Sequence, residues 1–122
     1  MGVEYEKLFD SELKVMDVLW DEGDVTAKYV AERLKEEIGW NKNTTYTLIK
    51  RCIAKGAVER REPGYICHAL VPREQVQRAE TDELIQKLYA GSVDKLFAAL
   101  LGRKEFSAEQ ISRLKDIVRE LK

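Results

Sequence analysis

Residues 26–70 read TAKYVAERLKEEIGWNKNTTYTLIKRCIAKGAVERREPGYICHAL. Thr26 has the side chain of a helix cap, and Ala27, Val30, Ala31, Leu34 and Ile38 fall on one face of a helix that Gly39 ends. The turn from Gly39 to Lys42 is short enough to force a sharp angle into the next helix, from about Asn43 to Lys55 with Gly56 as its stop. At 100° per residue, Thr45, Leu48, Ile49, Cys52 and Ile53 share one face of that helix. Asn43, Thr47, Lys50 and Ala54 lie opposite, flanked by Thr44, Tyr46 and Arg51. Val58–Glu62 and Tyr65–Leu70 read as short strands, with Pro63-Gly64 suited to the centre of a type II turn. Helix, short turn, helix and hairpin is the order of a winged helix.

Charge follows the same division. Between Asn41 and Arg61 the cations are Lys42, Lys50, Arg51, Lys55, Arg60 and Arg61 against one anion, Glu59, a local charge of +5. From Glu4 to Glu37 there are 5 Lys/Arg and 11 Asp/Glu, a local charge of −6. The whole chain, with a net charge of −1, is no polycation, yet its positive charge gathers on the segment shaped to enter a DNA groove. Asn43, Thr44 and Thr47 are short polar side chains that can meet base edges, with Tyr46 beside them for a sugar or base contact. Lys42, Lys50, Arg51, Lys55, Arg60 and Arg61 can neutralise phosphates. The bland alternative is a solvated helix face with no ligand.

The flanks complete a mainly α architecture. Leu13, Val15, Met16, Val18, Leu19 and Trp20 form a helical stripe that Asp10 or Ser11 can cap and Gly23 stops. Beyond Val71 the composition changes to three helices: Pro72 to about Ala90, a shorter one capped by Ser92, and a last one opened by a Ser107/Gln110 capping box. Their apolar residues are Val76, Leu84, Leu88, Val93, Leu96, Phe97, Leu100, Ile111, Leu114, Ile117, Val118 and Leu121. These have too little of their own chain to pack on, so a second copy is the expected cover. The expected division is a winged-helix head over residues 1–71 and a helical dimerisation region over 72–122.

Other functions find little support. No run of about 18 apolar residues could cross a membrane, the N-terminus is acidic rather than a secretion signal, and a reducing cytoplasm is the expected location. Cys52 and Cys67 lack paired metal spacing and His68 is the only histidine, so no metal or other cofactor is expected. Cys52 falls on the buried helix face as a small apolar residue, and a redox link to Cys67 is the alternative. Trp20 reads as core; Trp40, in the turn, is either packed or at a DNA backbone. No nucleophile stands beside a base and no glycine loop cradles phosphate, so an enzyme is not expected. The rival reading is a protein-interaction module whose winged helix docks another protein.

The segments Leu13-Lys-Val-Met-Asp-Val-Leu-Trp20, Thr26-Ala-Lys-Tyr-Val-Ala31, Trp40-Asn-Lys-Asn-Thr-Thr-Tyr-Thr-Leu-Ile-Lys-Arg51, Lys55-Gly56 and Arg73-Glu74 resemble the penicillinase repressor family of the BlaI/MecI type. The resemblance runs from about Phe9 to the end of the chain. It implies homodimers on palindromic operators, repressing genes for β-lactam resistance or copper handling, with recognition threonines and arginine at Thr44, Thr47 and Arg51. In β-lactam-responsive members it also implies a sensor protease that cuts an Asn-Phe bond, a position occupied here by Ala99-Leu100. Pro63-Gly64 stands where the family often has a Gly-Arg wing tip, and no Cys-x-Cys motif of the copper-responsive members follows Cys67.

Overall fold

A computed structural model describes residues 2–103 and 105–120. Among them are six helices and three strands: α1 (Asp10–Glu22), β1 (Val25–Thr26), α2 (Ala27–Ile38), α3 (Lys42–Ala54), β2 (Val58–Arg61), β3 (Ile66–Ala69), α4 (Arg73–Tyr89), α5 (Val93–Leu101) and α6 (Ala108–Glu120). The chain divides into two compact units, residues 1–77 and 78–122. The first turn of α4 belongs to the first unit, where Val76 is buried in the core.

The first unit is a winged helix-turn-helix. Its core is built from Val15, Met16, Val18 and Leu19 of α1, Val30 and Leu34 of α2, and Leu48, Ile49 and Cys52 of α3, closed by Val58, Cys67 and Val71. The local signals are those read in the sequence. Thr26 caps α2 by accepting from the Tyr29 N–H at 3.0 Å. Gly39 ends it at φ 73°, a left-handed conformation that any side chain would strain. The start of α3 is not among them: Asn41, inside the expected turn, caps it by accepting from the Asn43 N–H at 2.7 Å, so the helix opens at Lys42 rather than Asn43.

Four local expectations are corrected. The α1 cap is Phe9, not Asp10 or Ser11: the Glu12 carboxylate reaches back to accept from the Phe9 N–H at 2.7 Å, and the helix therefore starts one residue earlier. Ile38 is exposed, because α2 runs out of core to cover its last turn. The hairpin is part of a three-stranded antiparallel sheet in the order β1-β3-β2, with Val25 opposite Cys67 and Glu59 opposite His68. A two-residue strand has no alternation to betray it, and β1 exists only because β3 offers an open edge. At the wing tip Gly64 has φ 98°, as the second central residue of a type II turn requires, but the Glu62–Pro63 bond is cis and Tyr65 follows at φ 53°. Trp20 is half-buried, donating from Nε1 to the Val71 carbonyl at 2.9 Å, and Trp40 packs against the core.

In the second unit, Ala90 and Gly91 take positive φ after α4. Ser92 caps α5 by accepting from the Lys95 N–H at 3.2 Å. Ser107 and Gln110 form the reciprocal box that opens α6. Few apolar residues here are covered: Ile85 is buried, but α5 buries none, and Leu84, Leu88, Val93 and Ile117 are exposed. Leu96, Phe97, Leu100, Ile111 and Leu114 are half-buried. Leu121 lies outside the described residues, as does the side chain of Val118.

Candidate nucleic-acid interface

The face of α3 turned from the core carries Asn43, Thr44, Thr47, Lys50 and Arg51, all exposed. Thr45, Leu48, Ile49 and Cys52 are buried beneath them, so the split between wet and dry sides follows the 100° projection. Among the described residues the side chains of these five make no ion pair or side-chain hydrogen bond. Lys42, at the first position of α3, lies 5.7 Å from the centre of the Tyr46 ring. Tyr46 is half-buried and meets Tyr65 edge-on, with ring centres 6.1 Å apart. The Arg60 guanidinium stacks over Tyr65 at 3.7 Å. Two cations and two rings thus join the start of α3 to the wing.

The remaining sequence-selected cations are paired with carboxylates of the protein itself. Lys55, just past α3, is directed toward α1: its Nζ donates to Glu12 Oε1 at 2.6 Å and to the Lys7 carbonyl at 2.8 Å, and it sits 3.8 Å from the centre of the Phe9 ring. Glu12 is 1% exposed and Lys55 16%. The second oxygen of Glu12 and the hydroxyl of Thr45 are buried without a partner among the described residues. Arg60 pairs with Glu62, which also accepts from the Tyr65 N–H; both contacts hold the Glu62 carboxyl below its usual range, the arginine first. Arg61 donates to Glu59 at 2.9 Å and to Asp24 at 3.4 Å. The other Asp24 oxygen lies 2.7 Å from His68 Nδ1. The sequence window ending at Arg61 omitted Glu62, and the turn carrying Asp24 is far away in the chain. The fold brings both onto the wing.

Neither cysteine forms a disulfide, and both are fully buried. Burial, with the nearby Glu12 charge, pushes the Cys52 thiol up to about 12, and burial pushes Cys67 up to about 11. Sequence reasoning missed one feature near the interface. Lys28, Ala31, Glu32 and Lys35 of α2 and Lys42 of α3 line a cleft of about 130 Å³. The spacing of 28, 31, 32 and 35 on one helix face was the available signal, but only the angle between α2 and α3 adds Lys42 to it.

Known proteins are similar in sequence over nearly the whole chain. Methicillin resistance regulatory protein MecI of Mammaliicoccus sciuri is 24% identical over 114 residues, spanning 92% of this chain and 93% of its own. The penicillinase repressor of Bacillus licheniformis is 24% identical over 118 residues, spanning 95% and 92%. Among solved structures, monomeric Bacillus licheniformis BlaI in complex with the blaP half-operator aligns with a TM-score of 0.52 and 25% identity, over 57% of this chain and 88% of that one. A MarR family protein from Bacillus stearothermophilus, at 23% identity, shares the fold over 95% of this chain and 74% of its own, with a TM-score of 0.50. The sequence profile of the penicillinase repressor matches residues 8–120, and the chain belongs to the penicillinase repressor family.

Proposed function

We propose that the protein is a DNA-binding transcriptional repressor that works as a homodimer on an inverted-repeat operator. The carrying observation is the open side of α3, where Asn43, Thr44, Thr47, Lys50 and Arg51 are exposed and uncommitted above a dry core face. Such a helix, joined to its neighbour by a short turn, can lie in a major groove with its first turns on base edges. The similarity to BlaI, solved on a half-operator, supports the same use of this head. Residues 1–71 serve as the DNA-binding part and 72–122 as the dimerisation part, and two heads related by a two-fold axis read two half-sites. Repression follows from occupying a promoter. The relatives named for methicillin resistance and penicillinase support target genes in β-lactam resistance or a related stress response. A sensor protease is the proposed inducing partner; Ala99-Leu100, in α5, does not keep the Asn-Phe bond of the β-lactam-responsive members, so cleavage at that bond is not part of the proposal.

Selection of binding sites from random duplexes, followed by a salt titration on the winner, tests this reading. The expected result is an inverted repeat whose affinity falls steeply with salt. Absence of binding to any duplex at low ionic strength excludes the function.

A further inference from the structure

Charge that is already paired inside the protein adds little to the field that meets DNA, so the ion-pair map shows where phosphates are held. The wing is a closed cluster: Arg60 and Arg61 stand among Glu62, Glu59 and Asp24. With His68 neutral that cluster carries a net charge of −1. An exposed ion pair is cheap to break, but moving one arginine to a phosphate leaves its carboxylates facing that phosphate. The α2–α3 cleft is the opposite case. Lys28, Lys35 and Lys42 surround one carboxylate, Glu32, for a local charge of +2. Among the described residues none of these four is in an ion pair. Ala31 is the buried floor, so the cleft is open above a small side chain and rimmed by exposed lysines. Lys28 and Lys35 are seven residues apart on one face of α2, about 10 Å along the axis, and Lys42 begins the helix whose exposed face carries the polar side chains.

We propose that this cleft seats backbone phosphates of duplex DNA beside the groove that α3 enters, and that Lys28, Lys35 and Lys42, rather than Arg60 and Arg61, supply the phosphate neutralisation at the edges of α3. The inference rests on the DNA-binding reading and relocates its electrostatic anchor to residues of α2. The lysine ammonium groups suit the role as mobile point charges.

The test is fluorescence anisotropy of the full chain on a short mixed-sequence duplex across a salt series. The variants are Lys28→Gln/Lys35→Gln, Lys28→Arg/Lys35→Arg, Arg61→Gln and Glu32→Gln. Removing the two lysines should weaken binding about tenfold or more at low salt and reduce the slope of log K against log salt by about 1–2 per head. The arginine pair should restore the wild-type slope, Arg61→Gln should leave it unchanged, and Glu32→Gln should tighten binding. A steep wild-type slope that the glutamine pair leaves intact, or that Arg61→Gln flattens equally, overturns the proposal while DNA binding stands. A wild-type chain that binds no duplex removes both.

Discussion

The Lys55 ammonium shows how a side chain's partner decides its role. It lies 2.6 Å from Glu12, whose carboxylate is almost wholly withdrawn from water and also receives the Phe9 N–H. Replacing Lys55 by Met keeps the aliphatic stem but leaves Glu12 a buried charge without its counter-ion. The expected cost is about 3 kcal/mol in urea unfolding, the low end because Lys55 keeps some exposure, with the DNA salt slope unchanged. A variant as stable as wild type would mean that the pair is not what holds the N-terminal segment to the end of α3. Cys52 makes a second case. With its thiol pushed up to about 12, it should resist iodoacetamide at pH 8 until urea unfolds the chain. The sign of the linkage follows. The folded thiol keeps a proton that an unfolded thiol of pKa about 8.5 releases, so stability is unaffected below that pH and falls as pH rises above it. Rapid alkylation under native conditions would contradict the burial.

Among the elements, the joint between α3 and the wing rests on Tyr46 and Tyr65. Both rings are half-buried against the head, and each carries a cation on its outer side, Lys42 on one and Arg60 on the other. An edge-on pair at this distance typically couples by about 1 kcal/mol. A double-mutant cycle on Tyr46→Leu and Tyr65→Leu in thermal unfolding should recover a coupling of that size. Additive effects would show that the wing is placed by its strand pairing alone. Most element boundaries were legible in the sequence because each is set within a few residues: Thr26 as a cap, Gly39 as a stop, Ser107 with Gln110 as a box. The α1 start and β1 were not. Phe9 has no capping side chain of its own and relies on Glu12, and β1 is created by a partner strand remote in the chain.

For the molecule as a whole, the uncovered apolar residues of α4–α6 are the leading fact. Leu88 is 63% exposed and Ile117 52%. At about 25 cal/mol per Å² of apolar surface, a helical unit that leaves such residues wet forgoes several kcal/mol that a second copy would recover. Leu88→Glu with Ile117→Glu should therefore yield monomers by light scattering with the head still folded by circular dichroism. A double variant that stays dimeric would place the interface elsewhere. Among the described residues no helix is long and apolar enough to cross a membrane.

The amino-acid sequence by itself determined the order of elements, the dry and open faces of α3 and the uncovered apolar stripes, since all three depend on spacing along one chain. Only the tertiary structure decided which cations are left for a ligand. Glu12 reaches Lys55, Asp24 reaches Arg61, and Lys28, Lys35 and Lys42 converge on one cleft. Coulomb interaction acts through space, so the fate of a charge depends on residues that the fold, not the chain, makes its neighbours.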